Sequence, residues 1–334
     1  MEISRGQWII IILLTLSFIA TAGFVAFSLA AVLSFGPAYL YLKSIRNAEE
    51  TDREPWSALR TVFVWGAVSG VFYAIILNGL GGSLVFLYTG DDANLTFIVT
   101  AIIVAPIVEE FVKPLVLFRN ASVKGEIDEV EDGIVYGAAC GLGFGATENI
   151  LYGLSEGAVS SGLLGVIVIV TLRTVSSILL HLTASSFTGY GISQYLVKGA
   201  PFSVVVKYYF LAVLIHAAWN TAAVLGSPLI LLFSILLAIG GLEFSKRRIR
   251  QLDLEGSNIS SQSLRAAGVP KDWWNESNSR WGKKTQERDP NTASPIYESK
   301  TDSPASTMFQ DVDWRQFLGG ALFLLFILSD VIFS

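Results

Sequence analysis

The sequence predicts an all-α, polytopic membrane protein, with a bundle of eight or nine transmembrane helices around an intramembrane active site. Of its 334 residues, 52% are hydrophobic and only 15% are charged, and the mean hydropathy is +0.55. That composition is typical of integral membrane proteins. Apolar runs of about 20 residues, enough to cross a ~30 Å hydrocarbon core, recur along the chain. We therefore expect a multi-pass protein of the lipid bilayer, in the cell membrane.

Charge and cysteine content exclude several other classes. The formal net charge is −5 and no block of basic residues occurs, so no nucleic-acid partner is expected. The single cysteine, Cys140, lies in an apolar segment and excludes a disulfide framework.

Residues 8–42 form the first apolar stretch. One straight helix of that length would measure roughly 52 Å, which is well beyond the hydrocarbon core. The stretch is therefore either one long tilted helix or two short spans that turn near Thr21–Gly23, and we favour two spans.

The chain divides into four regions. Residues 1–57 hold the N-terminal transmembrane segment or segments and a cytoplasmic loop, and residues 58–244 form the catalytic transmembrane core. Residues 245–313 are polar and poor in aliphatic side chains, so we expect a disordered cytoplasmic loop. Residues 314–334 are expected to form a C-terminal transmembrane helix.

Lysine and arginine set the predicted orientation of the bundle. They fall in loops on one side, whereas the opposing loops carry Asp91, Asp92 and Glu156 and no basic residue. The positive-inside rule then places the basic loops in the cytoplasm and the C-terminus outside.

Residues 95–118 are apolar enough to span a bilayer, yet they contain Glu109, Glu110 and Lys113. A charged side chain at the centre of a bilayer costs about 2.5–3.5 kcal/mol on insertion scales, so such groups face a protein interior or a wet cavity. Glu109 and Lys113 are i,i+4 neighbours that could pair, while Glu110 points about 100° further round the helix. The pair is either a packing device or part of a functional site.

The next span, residues 130–154, has glycine every fourth residue from Gly133 to Gly145 and then Glu148. Small residues let membrane helices approach closely, so we expect this stripe to hold the helix of Glu148 tightly against a neighbour.

Both histidines of the chain, His181 and His216, also lie in apolar spans. With Glu148 and the di-acid pair they occupy four predicted helices that could converge on one site. Counted from the predicted boundaries, the two histidines lie at different depths, so a boundary must shift or a helix must be broken.

Two chemical interpretations fit these residues. In one, Glu148, His181 and His216 hold a zinc ion with an open position for water, and Glu109 or Glu110 accepts the proton. In the other, a glutamate activates water directly, and the histidines with Asn220 stabilise an oxyanion. In both, Lys113 keeps the neighbouring Glu109 carboxylate ionised.

Around these residues the chain resembles the PrsW family of intramembrane proteases, which shares a clan with the type II CAAX prenyl endopeptidases. The resemblance covers roughly residues 35–243. The matching pieces are Glu109–Lys113 for EExxK, Phe144–Glu148 for FxxxE, His181 and His216 for the later histidine motifs, Asn220 for HxxxN, and Asp52–Trp56 for a segment ahead of a span.

The resemblance implies an intramembrane endopeptidase that hydrolyses a peptide bond of a membrane-anchored protein substrate in or next to the bilayer. Family members have been described as metalloproteases and as glutamic proteases, so Zn²⁺ is an open expectation. CAAX-type relatives carry histidine where this chain has Glu148, which favours the PrsW branch. The alternatives are a proton-coupled transporter, which also uses intramembrane Glu, Lys, Arg and His, and a catalytically silent binding or immunity protein of the same clan.

Overall fold

A computed structural model describes residues 4–90, 92–226 and 228–266, which form helices joined by short turns, with no strand among them. Three π-helical turns interrupt the α-helices, at Trp65–Gly70, Thr100–Val104 and Gly153–Gly157. The α-helices are α1 (Arg5–Ala22), α2 (Phe24–Arg46), α3 (Trp56–Val64), α4 (Val71–Tyr88), α5 (Ala93–Val99), α6 (Ala105–Val112), α7 (Leu115–Arg119), α8 (Ala121–Lys124), α9 (Val130–Tyr152), α10 (Ala158–Val175), α11 (Ser177–Lys198), α12 (Ser203–Leu225) and α13 (Pro228–Ala266).

Long apolar helices confirm the fold class of an all-α, multi-pass membrane protein. Large apolar side chains remain exposed on them, as expected for a surface that faces lipid, and Leu84 is 68% exposed. Eight or nine transmembrane helices remain a prediction, because residues 314–334 lie outside the described part. Within that part, five helical runs are long and apolar enough to cross a membrane: Phe24–Arg46, Trp56–Tyr88, Ala93–Arg119, Ser160–Lys198 and Ser203–Leu225.

The N-terminal apolar stretch forms two helices, α1 and α2, as favoured from its length. They are separated by Gly23, which has φ +85°. This is a backbone conformation that glycine adopts without the steric cost of a Cβ. The turn therefore lies where the sequence predicts it.

Helix α9 lies at the centre of the bundle and packs against α11, α2 and α3. Nearly all of its residues are buried, including Tyr136 and Leu142, which are completely shielded from solvent. Because α9 carries Glu148, its packing partners determine what can surround that carboxylate.

The glycine stripe of α9 faces α11, which confirms the close approach predicted from its spacing. A Cβ placed at Gly137 would lie 2.3 Å from the carbonyl oxygen of Ser185. At Gly141 it would lie 2.1 Å from the carbonyl oxygen of His181, far inside any contact that a real side chain makes. The stripe therefore presses α9 onto the backbone that carries His181.

The long segment that holds both Arg173 and His181 is broken. Helix α10 ends at Val175, and Ser176, with φ −123° and ψ −72°, separates it from α11. A broken helix is one of the two outcomes expected from the mismatched depths of the histidines. The break places His181 in the second turn of α11.

Helix α13 continues well past the boundary predicted for a disordered loop at residue 245. It runs to Ala266, and Ile249, Leu252 and Asp253 on it are buried. Asp253 accepts hydrogen bonds from the backbone N–H of Glu50 at 2.6 Å and of Thr51 at 3.2 Å. The average aliphatic content of the predicted loop is low and does not reveal that one face of its first part packs against the bundle. The prediction of disorder was therefore wrong for residues 245–266. The rest of that predicted loop lies outside the described residues.

Candidate active site

Six of the seven predicted site residues meet between helices α6, α9, α11 and α12. Glu110 and Lys113 are fully buried, and Glu109, His181 and His216 are at most 5% exposed. The two imidazole rings are perpendicular, with centroids 4.9 Å apart. The predicted convergence of these side chains is therefore present in the structure.

Glu110 contacts three polar side chains from α11, α12 and its own segment. Its Oε1 accepts hydrogen bonds from Lys113 Nζ at 2.6 Å and lies 2.8 Å from Nδ1 of His216. Ser185 donates to its other oxygen at 3.4 Å. The sequence predicts a Glu109–Lys113 pair, but the structure pairs Lys113 with Glu110. Lys113 Nζ also lies 2.9 Å from His181 Nδ1.

Glu109 has a different environment, with one oxygen bonded and the other free. Asn78 on α4 donates to Oε1 at 3.1 Å. Oε2 is buried without a hydrogen-bond partner within the described residues, and it lies 3.8 Å from Nε2 of His216. Glu109 therefore presents an unused carboxylate oxygen towards a histidine.

Glu148 is held by three polar neighbours, Arg173, Ser177 and His181. Its Oε2 lies 2.8 Å from Nε2 of His181 and accepts a hydrogen bond from Arg173 at 2.8 Å. The Arg173 guanidinium also stacks 3.9 Å from the ring centroid of Tyr152. The Glu148 side chain is 16% exposed, so this carboxylate is accessible as well as paired.

Asn220, the seventh predicted residue, does not join these hydrogen bonds. Its side-chain amide donates to the carbonyl of Ala101 at 2.7 Å, within the π-helical turn that precedes α6. This contact ties α12 to the backbone just ahead of Glu109 and Glu110.

A cavity of about 540 Å³ opens beside the two accessible acids. Its wall is mostly apolar and comes from α4, α5, α6, α9 and the turn between α5 and α6. Glu109, Glu148 and Asn78 supply polar groups, while Phe144 and Tyr152 supply aromatic faces. A mostly apolar cavity with a few convergent polar groups is typical of a binding site.

Glu109, His181 and His216 form a group whose possible ligand atoms all lie within 4.8 Å of one another. Two imidazole nitrogens and one carboxylate oxygen are a common zinc ligand set. The sequence places Glu148 in that set instead, and this assignment stays a prediction. Glu148 contacts Nε2 of His181, so both carboxylates lie close to the ring of this histidine.

Sequence reasoning missed Asn78 and Arg173 as site residues. Arg173 did carry a signal, because an arginine deep in an apolar span is costly unless it is paired. Asn78 is one amide at the end of a predicted span, and nothing in its spacing relates it to Glu109. Its contact with Glu109 can be recognised only once the helices are placed in three dimensions.

Comparison with known proteins identifies the family. A family model described as "PrsW family intramembrane metalloprotease" matches residues 54–240, which is more than half of the chain. "Protease PrsW" of Clostridioides difficile (strain 630) is 31% identical over 184 residues, covering 55% of this chain and 73% of the relative. "Protease PrsW" of Geobacillus kaustophilus (strain HTA426) is 32% identical over 120 residues, covering 36% of this chain and 48% of that relative. No solved structure matches. The chain therefore belongs to the PrsW family of intramembrane proteases.

Proposed function

We propose that this protease hydrolyses a peptide bond of a membrane-anchored protein in or next to the bilayer of the cell membrane. Residues 58–244 would form its catalytic core. The observation that carries the proposal is the free, buried Oε2 of Glu109, which faces His216 beside the cavity. A buried charged oxygen without a partner is costly, so its persistence favours a ligand or a proton at that atom.

The charges of the site support this assignment. Glu110 is paired with Lys113, and Glu148 is paired with Arg173. Asn78 bonds to Glu109, but an amide carries no charge. Of the three site acids, Glu109 thus has no lysine or arginine partner among the described residues, and a metal ion would supply the missing positive charge.

The residues fit zinc, and Glu109, His181 and His216 would hold it. When bound, zinc would polarise the scissile carbonyl and make a bound water more acidic. Glu110 would orient the His216 ring through Nδ1, which is the usual arrangement of a carboxylate behind a metal-binding histidine. Lys113 has the opposite relation to His181, because an ammonium can only donate; Nδ1 then accepts the hydrogen bond and Nε2 carries the ring proton that faces Glu148. His181 would therefore bind zinc through Nε2 only after this nitrogen loses its proton.

Glu148 would accept the proton of the attacking water. It lies on the cavity wall, 2.8 Å from His181 and held in place by Arg173. The prediction from sequence differs, because there Glu148 holds zinc and Glu109 or Glu110 takes the proton. In a site without metal, the free Oε2 of Glu109 would take the proton directly.

The cavity indicates the kind of substrate. Its apolar wall suits side chains of a transmembrane segment, and its polar end reaches the two acids. A peptide bond must leave its helix to be attacked, because helical carbonyls are hydrogen-bonded within the segment. A single-span protein with a short unwound stretch near the bilayer surface would meet both requirements.

The test measures cleavage of a single-span substrate, metal content and thermal stability on the purified full-length protein. We expect Glu148→Gln to lower turnover by about 10²–10⁴-fold, the usual contribution of a general base, and to retain metal. Glu109→Gln and His216→Ala should lose both metal and turnover. Glu156→Gln, an exposed acid of the neighbouring turn, is the matched control and should resemble the unmodified protein.

The outcomes separate the possibilities. Loss of metal from Glu148→Gln but not from Glu109→Gln would exchange the two roles. Metal-free protein with full turnover would establish the glutamic mechanism. Full turnover of Glu109→Gln and Glu148→Gln would refute the assigned site.

A further inference from the structure

A second group of buried acids lies on the side of the bundle where the basic loops are. Glu49 and Glu54 come from the loop between α2 and α3, and Asp132 comes from the first turn of α9. Glu49 is fully buried, Asp132 is 2% exposed and Glu54 is 5% exposed. One ligand atom from each of the three carboxylates lies within 4.8 Å of the other two. We name this group the loop cluster.

No lysine or arginine of the described residues forms an ion pair with the loop cluster, although Arg46 lies near enough to interact electrostatically with Glu49 and Glu54. Arg46 instead donates through Nε to the backbone carbonyl of Glu54 at 2.6 Å, and Arg53 donates to the carbonyl of Glu49 at 2.9 Å. Buried charges are normally paired or bound to a metal, so the loop cluster lacks an expected partner.

Unpartnered oxygens point to a missing ligand. Oε2 of Glu49 accepts the backbone N–H of Glu54 at 3.0 Å, but Oε1 is buried without a hydrogen-bond partner within the described residues. Glu131, which precedes Asp132 on α9, is 4% exposed. Its Oε1 also has no hydrogen-bond partner within the described residues. An adjacent group of Glu129, Glu131 and Asp253 has ligand atoms within the same mutual distance.

The candidate ligand atoms of the loop cluster are all carboxylate oxygens, and the backbone N–H groups of Asp128 and Glu129 already donate to Oδ2 of Asp132. The hydroxyl of Tyr136, one turn along α9, donates to Oε2 of Glu54. Burial, together with the charge of neighbouring acids, raises the pKa of Glu49 and of Glu54 well above the usual range. Acids in this arrangement resist ionisation unless a cation compensates them.

We propose that Glu49, Glu54 and Asp132 bind a hard divalent cation of the Ca²⁺ or Mg²⁺ type. Such ions prefer carboxylate, carbonyl and water oxygens. Zinc favours sites with nitrogen or sulfur ligands, and the loop cluster offers neither. Asp132 precedes Glu148 by 16 positions on one helix, about 24 Å at the α-helical rise. The loop cluster is therefore separate from the active site.

A cation there would hold three segments together. It would bridge the loop after α2 to the first turn of α9. The same loop is hydrogen-bonded through Glu50 and Thr51 to Asp253 of α13. The ion would therefore stabilise the docking of α13, and removal of the ion would loosen this end of the bundle.

The experiment is a titration of chelator-treated, full-length protein with Ca²⁺ or Mg²⁺, read as thermal stability and as equilibrium binding of the metal. At about 100-fold excess over Kd, one site specific to the folded protein should raise Tm by roughly 3–5 °C for a chain of this length. We expect Glu49→Gln and Asp132→Asn to abolish the shift. Glu255→Gln removes an exposed acid of α13 and should retain it.

Controls keep this site distinct from the active site. Repeating the titration with Glu109→Gln and His216→Ala should leave the shift unchanged, whatever the fate of the proposed protease mechanism. A shift that disappears in those two variants but persists in Glu49→Gln would overturn the proposal, as would no binding to unmodified protein. If the loop-cluster variants do not fold, binding of one Ca²⁺ to unmodified protein that Mg²⁺ displaces and Zn²⁺ does not would support the proposal, and its absence would refute it.

Discussion

The replacement Gly141→Ala tests whether the active site depends on the close packing of α9 against α11. Gly141 is two turns before Glu148, and a Cβ there would lie 2.1 Å from the carbonyl oxygen of His181. It would also lie 2.6 Å from the carbonyl carbon of His181 and 3.0 Å from the N atom of Leu182. All three are backbone atoms, so no side chain can rotate away. The substitution must separate the two helices.

The structure gives the size of this displacement and its cost. Ordinary contact for a Cβ begins near 3.4 Å, so the gap must open by about 1.3 Å, and a misplacement of roughly 1 Å at a catalytic group can cost ~10²-fold in rate. Overpacking costs about 1–3 kcal/mol, against a gain of up to about 1 kcal/mol from the better helix propensity of alanine. We therefore expect a large loss of turnover with a modest loss of stability.

The assay compares substrate cleavage and Tm for Gly141→Ala and for Gly240→Ala. Gly240 is a helical residue of α13 whose added Cβ would meet no atom within 4 Å. The Gly240→Ala variant should keep full turnover. Wild-type turnover of Gly141→Ala at unchanged Tm would refute the reasoning, because the geometry of His181 would then not depend on the glycine stripe.

Three further predictions concern the newly found contacts and the orientation. Arg173→Gln should lower turnover at least tenfold and reduce Tm, because it removes the arginine that compensates the charge of the partly buried Glu148 carboxylate; unchanged kinetics would contradict this. Asn78→Leu should reduce turnover by about tenfold through loss of the hydrogen bond to Glu109, with little change in Tm; loss of folding without a kinetic effect would indicate a packing role. In intact cells, an impermeant thiol reagent should label a cysteine at Asp92 and not one at Glu255, and the reverse pattern would invert the topology.

Much of the site could be predicted from sequence because the membrane makes polar residues costly. Glu109, Glu110 and Glu148 stand out against apolar neighbours, and so do both histidines. Their convergence follows, since each must avoid lipid and the bundle interior is the common alternative. The close approach of α9 to a neighbour could also be predicted from sequence, because small residues at every fourth position let two membrane helices pack tightly.

The partners of each acid could not be predicted in the same way. Lys113 can reach a residue three or four positions earlier on its helix, so spacing allows Glu109 or Glu110. The choice depends on His181 and Asn78, which come from other helices. Sequence periodicity describes one helix at a time and does not contain this information.

The irregular backbone and the cavity are parts of one feature. Lipid-exposed backbone must be fully hydrogen-bonded, so irregular segments at membrane depth are tolerated only when they are buried in protein or line a cavity. The π-helical turn Thr100–Val104 contributes Thr100 and Ala101 to the cavity wall, and Asn220 satisfies the carbonyl of Ala101. Directly after this turn, α6 presents Glu109 to the same cavity. The departure from a regular helix therefore occurs where a polar side chain bonds to the altered backbone, and it gives Glu109 access to a cavity that an unbroken, lipid-facing helix would lack.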